Sequence, residues 1–124
     1  MSPRIELQLD RVIYEPGETI SGAVTVLEGG DSRSLETFLE YKEETADYVE
    51  VAISIPSGPL HEGDLTTGTS FEFALTLPPE ALPNYKSEHG ELYWEVDAKS
   101  NEVGRDTHNR RLIEIRLRHP AASA

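Results

Sequence analysis

Four histidines, 23 carboxylates and five tyrosines are the groups in this sequence with the most chemical reach. The histidines are His61, His89, His108 and His119, and none has a partner two or four residues away, the spacing that sets a metal pair on one face. They read as surface residues of loops and chain ends. The chain has no cysteine, which removes disulfides, thiolate zinc sites and cysteine nucleophiles together. A serine hydrolase needs its nucleophile on a strained elbow. No Gly-x-Ser-x-Gly occurs, and Ser57, between Pro56 and Gly58, has the surroundings of a turn serine. No glycine-rich phosphate loop or dinucleotide fingerprint is present. The carboxylates are dense at Glu40, Glu43, Glu44, Asp47 and Glu50, and again at Glu62 and Asp64. A glycosidase needs two carboxylates across a cleft. On a strand, Glu40 and Glu44 share one face while Glu43 and Asp47 share the other, which is the pattern of a solvated surface. Calcium could use Glu62, Asp64 or a rim cluster, although the spacing is not that of an EF-hand. Tyr93, with Tyr41, Tyr48 and Tyr85, could form an aromatic platform for a carbohydrate or a peptide; scattered rim tyrosines are the simpler reading. The expectation is therefore no catalytic residue, no cofactor site and no metal site.

What must position these groups is a set of strands. Apolar residues recur with period two at Ile5, Leu7 and Leu9, at Ile20, Gly22, Val24 and Val26, and at Leu35, Thr37, Leu39 and Tyr41. The same period runs through Val49, Val51, Ile53 and Ile55, through Phe71, Phe73, Leu75 and Leu77, through Leu92, Trp94, Val96 and Ala98, and through Ile113, Ile115 and Leu117. Val12 and Tyr14 fall out of phase with Ile5 to Leu9, so the first segment should kink near Asp10 and Arg11. Each sheet then has one dry face and one wet face, and two such sheets hide their dry faces against each other. Glu15-Pro16-Gly17-Glu18 reads as a type II turn, with Pro16 fixing φ and Gly17 supplying a positive one. Pro56-Ser57-Gly58-Pro59 opens an irregular stretch reaching Gly68, and Pro78, Pro79 and Pro83 close the Phe71 strand. Trp94, in phase with Leu92 and Val96, belongs to the core.

Length and charge bound the rest. A chain of 124 residues suits one domain, expected over residues 1–120, with 121–124 as a disordered tail. The net charge is −12, which repels nucleic acid and anionic lipid. Residues 1–104 carry 21 acidic and 6 basic side chains, whereas 105–124 carry 2 acidic and 5 basic ones. The basic last strand should pair with acidic neighbours across the sheet; an anion-binding stripe is the alternative. No apolar run is long enough to insert in a membrane, no signal peptide is recognisable, and a cytoplasmic location is expected.

Three segments, in order, carry a resemblance. Tyr14-Glu15-Pro16-Gly17-Glu18-Thr19-Ile20-Ser21-Gly22-Ala23-Val24 resembles the opening signature of arrestin-like domains. Phe71-Glu72-Phe73-Ala74-Leu75-Thr76-Leu77-Pro78, with Leu82-Pro83, is similar to the family's proline-terminated strand. Gly90-Glu91-Leu92-Tyr93-Trp94-Glu95-Val96-Asp97-Ala98 is similar to the strand that follows. The resemblance, shared with bacterial sporulation-control arrestin-like proteins, implies an immunoglobulin-like, antiparallel two-sheet β-sandwich of about seven or eight strands. It also implies an adaptor or scaffold role. Typical arrestins have two such domains and this chain has room for one. No phosphate-sensing lysine, buried charged latch or trafficking tail of the family maps onto these residues.

The leading expectation is an all-β, non-enzymatic protein-interaction module; the alternative is a small carbohydrate- or calcium-binding module. An open sandwich has edge strands that can accept another strand. Val49 to Ile55 lacks proline and carries one charge, Glu50, so it would pair readily at an edge, with a partner protein or in a homodimer.

Overall fold

The computed structural model describes residues 2–117, so the expected tail at 121–124 and His119 lie outside the described residues. Nine strands and no helix occur among them. Seven are long: β1 (Arg4–Leu9), β3 (Thr19–Glu28), β4 (Ser34–Thr45), β5 (Val49–Glu62), β6 (Ser70–Thr76), β8 (Gly90–Asn101) and β9 (Thr107–Ile115). Two are two-residue pieces, β2 (Ile13–Tyr14) and β7 (Tyr85–Lys86). A small sheet has the order β1-β3-β6, and a large one the order β2-β9-β8-β4-β5, with β7 added beside β8. Between them lies one core in which Leu7, Tyr14, Ile20, Val24, Leu35, Leu39, Leu77, Trp94, Val96 and Ile115 are all buried. The alternating positions of β1, β3, β4, β6, β8 and β9 supply that core as expected, except that Leu117, in phase with Ile113 and Ile115, is exposed past the end of β9. Trp94 is fully enclosed, stacks 4.7 Å from Tyr41, and donates its indole N–H to the Leu82 carbonyl at 2.7 Å.

The kink at Asp10–Arg11 is a change of sheet. β1 pairs antiparallel with β3, and after the kink β2 pairs with β9 in the other sheet. That second pairing is parallel, an exception to the antiparallel expectation that follows from the chain crossing between layers without reversing. Tyr14 pins the crossing: its hydroxyl donates to the Arg11 carbonyl at 2.9 Å while its ring sits in the core. The next turn closes with Glu18 N–H on Glu15 O at 3.1 Å, and Gly17 has φ of 86°, as a type II turn requires. Two asparagines stitch the layers. Asn109 accepts the Leu7 N–H, and Asn84 bonds Ile113 O and Ile115 N, acting as a one-residue strand beside β9.

Two expectations about β5 need correction. The stretch from Pro56 to Glu62 is not irregular but continues the strand, with register shifts opposite Leu35 to Phe38. Proline is tolerated there because β5 is an edge strand, whose outward N–H groups have no ladder partner to lose. Gly58, with φ of 84°, takes up the bulge, and the Ser57 hydroxyl accepts the Thr37 N–H in place of a ladder bond. The second correction concerns the stripe Val49, Val51, Ile53, Ile55. Ile53 lies opposite Tyr41, yet Val51 lies opposite Lys42, leaving Ala52 as an extra residue. That bulge reverses the phase of the strand. Ile53 and Ile55 keep the core side, whereas Val49 and Val51 turn to the outer face beside Glu44 and Lys42. Val51, 44% exposed, is turned out of the core by the bulge, and Ile53, on the core side but at the sheet edge, is 40% exposed, so neither shares the core with Trp94.

Candidate functional site

β5 is the last strand of the large sheet, and its two halves differ. The C-terminal half is blunted. Pro56 and Pro59 interrupt its donors, and it runs beside β6, where the His61 ring stacks 5.1 Å from Phe71. The N-terminal half, Val49 to Ser54, is exposed residue by residue and contains no proline. Edge strands of this kind present unpaired backbone donors and acceptors to any chain that can lie alongside. Here Val49, Val51 and Ile53 add exposed β-branched side chains on both faces.

The carboxylates around this half-edge were visible in the sequence as a run, and the ladder arranges them in pairs. Glu43 lies directly opposite Glu50 on β5, and Glu44 directly opposite Glu91 on β8. Like charges so placed repel. Lys86 on β7 lies opposite Glu91, and among the described residues no ion pair joins a cation to any of the four. The Tyr48 hydroxyl donates to Glu43 at 2.5 Å, and the carboxylate beside it pushes that phenol's pKa up. Tyr48, Tyr85, Glu43, His89, Glu91 and Leu92 line a notch of about 270 Å³ at the same end of the sheet. That volume is below the usual range for a small-molecule pocket.

Further along the outer face of the large sheet, the acids are treated differently, and composition gave no sign of it. Glu95 and Asp97 are buried although they point away from the core. Lys42 Nζ lies 2.6 Å from Glu95 and 3.9 Å from Glu40; Arg110 Nε lies 3.6 Å from both Glu95 and Asp97; His108 Nδ1 lies 2.9 Å from Asp97. Burial pushes the Glu40 carboxyl up, Lys42 opposes this, and the nearby Asp97 and Glu95 reinforce it. Alternation on three neighbouring strands, with cations on β4 and β9 flanking acids on β8, was the signal that could have located this network. It satisfies the expectation that the basic last strand pairs with acidic neighbours. Arg110 is engaged there, and Arg116 pairs with Glu114.

The other residues singled out in the sequence do not converge. His61 bonds the Asp64 carbonyl, His89 sits in the turn between β7 and β8, and His108 belongs to the charge network. Tyr41 is in the core, Tyr93 is half-buried on the outer face, and Tyr48 and Tyr85 stand at the notch, so the four tyrosines form no shared platform. Asp64 accepts the Ser32 N–H. Among the described residues no three of His, Cys, Asp or Glu are grouped to hold a metal ion. Among the described residues no helix is long and apolar enough to cross a membrane.

Similarity to solved structures bears on the fold. The structure matches Spo0M, the sporulation control protein of Bacillus subtilis, with a TM-score of 0.65 at 19% identity, covering 97% of this chain and 51% of that one. The chain folds as an arrestin-like β-sandwich. It spans about half the length of Spo0M. No family model and no curated protein sequence matches it. At that identity the likeness establishes architecture and does not transfer a partner.

Proposed function

We propose that this chain is a non-enzymatic, cytoplasmic protein-interaction module, an adaptor or scaffold, which engages its partner by strand addition along the N-terminal half of β5. The observation that carries this reading is the contrast within one edge strand. Its second half is protected by prolines and by β6, while Val49 to Ser54 is exposed, proline-free and β-branched. In strand addition the backbone ladder supplies affinity and neighbouring side chains supply choice. The arrestin-like fold is compatible with such a role, and the engagement of Ser57, His61 and His108 in internal hydrogen bonds supports a non-catalytic one.

The test is capture of binding proteins from the native host with three baits: the wild-type chain, Val51→Pro, and the double variant Val49→Lys, Val51→Lys. Lysines on an exposed edge discourage pairing without disturbing a core. Circular dichroism identifies the folded baits. Loss of the captured protein with the folded variants supports the proposal. Undiminished capture by a folded double variant refutes it. Sedimentation velocity on the same proteins separates a partner from self-pairing into a continuous-sheet dimer.

A further inference from the structure

We infer that the strand accepted by β5 is an extended basic segment of another protein, alternating apolar with Lys or Arg residues, and that a second copy of this chain is not the occupant. The inference rests on the strand-addition reading and names the chemistry of what is added.

The phase reversal at Ala52 gives the half-edge two unlike faces. On the outer face stand Val49 and Val51. The opposite face carries Glu50, with Glu43 directly behind it on β4. A strand laid alongside sends successive side chains to alternate faces. Its apolar residues would meet the two valines, and the residues between them would meet Glu50, with Glu43 one strand further back. Cations in those places relieve a like-charge pair that the free protein leaves uncompensated. Glu44, Glu91 and the notch beside them lie across the sheet, behind β5 and β4, beyond the reach of a strand added at this edge.

A second copy has the wrong charge for this place. Self-pairing would bring Glu43, Glu44, Asp47 and Glu50 of both molecules into one seam, between two chains each of net charge −12. Only Lys42 on the adjoining strand could compensate, and it is held by Glu95 at 2.6 Å.

The probe is a fluorescein-labelled octapeptide of alternating valine and lysine, followed by fluorescence anisotropy at low and moderate salt. Three companions accompany it: the valine–glutamate peptide, the valine–lysine peptide with alternate amides N-methylated, and a Glu43→Gln, Glu50→Gln variant of the protein. The lysine peptide is expected to bind, and more weakly as salt screens the charges. The glutamate peptide should bind at least about tenfold more weakly, given the sign of the field. N-methylation keeps the charge and removes the ladder bonds, and should abolish binding. The double glutamine variant should lose about fivefold or more in affinity, as expected for two charge contacts. Equal binding of the N-methylated peptide would reduce the effect to diffuse charge attraction and overturn the inference. So would absent binding of the lysine peptide, equal binding of the glutamate peptide, or a dimer that Val49→Lys, Val51→Lys dissolves. If host capture depends on the β5 edge while the lysine peptide fails to bind, the basic occupant falls and strand addition stands. If capture ignores the edge, both fall.

Discussion

Gly22→Ala is expected to open the seam between β1 and β3. Gly22 lies opposite Leu9 on β1 and Phe73 on β6, at the centre of the small sheet. A Cβ built there would stand 2.2 Å from the Gln8 carbonyl oxygen and 3.0 Å from the tip of the Phe73 ring. The ring can swing aside; the backbone oxygen cannot move without moving β1. An ordinary carbon–oxygen contact needs more than ~3 Å, so the strands must separate by roughly 1 Å. Overpacking of this kind costs about 1–3 kcal/mol. One or two strained ladder bonds add roughly 1 kcal/mol each. Alanine recovers about 0.5–1 kcal/mol through the smaller entropy of its unfolded chain. The net destabilisation is about 2–4 kcal/mol, a large share of the ~5–15 kcal/mol that holds a domain of this size. Urea unfolding followed by Trp94 fluorescence measures it directly, and the midpoint should fall with little change in slope. A midpoint equal to or above that of the wild type would mean that the strands accommodate a methyl group, and the close-approach argument would be wrong.

Three further outcomes follow from particular side chains. Thr37 buries a hydroxyl with no hydrogen-bond partner, so Thr37→Val should raise stability by about 1 kcal/mol in the same unfolding assay, the order of an unpaid desolvation. Because the Glu40 carboxyl is raised above its ordinary value, the folded state holds that proton more tightly than the unfolded one, and stability falls as pH rises through the window between the two values. Glu40→Gln should accordingly raise the unfolding midpoint at neutral pH, with the gain fading below the ordinary carboxylate range. Trp94→Ala should cost about 3–5 kcal/mol, and native emission should be blue-shifted relative to free tryptophan; water-like emission would place the ring outside the core.

The sequence made the sandwich legible because most strands obey one rule, with apolar residues facing a single core. The kink at Asp10–Arg11 showed as a phase change between Leu9 and Val12, and the turn at Pro16–Gly17 showed in its residue types. The features that escaped are those in which tertiary contacts override the rule. Pro56 and Pro59 punctuate a sequence as breakers, yet an edge strand admits them, so β5 ran further than its residues suggested. The bulge at Ala52 leaves no mark in a stripe of Val and Ile, because a phase reversal changes which face a residue occupies and not its type. Glu95 and Asp97 look like ordinary wet-face acids, and only the cations on both neighbouring strands close a layer of side chains over them. The candidate site was legible as an ingredient, the proline-free run at Val49 to Ile55, but its edge position depends on the order of strands in the sheet, which local pattern does not encode.

The parallel pairing of β2 with β9, and the bond from Leu7 N–H to Asn109, join residues about a hundred positions apart in the chain. Such closures cost loop entropy before they return any contact energy, and they are among the slowest to form. During synthesis, the first fourteen residues leave the ribosome long before their neighbours on β9 exist. Until residue 115 emerges, the side of β9 that receives β2 is missing and Tyr14 has no complete pocket. The growing chain must then hold Ile5, Leu7 and Tyr14 in an unfinished arrangement for seconds at ordinary elongation rates. Timing, as well as stability, thus bears on this fold: a pause in translation before β9 would prolong exposure of the same apolar residues that later seal the core.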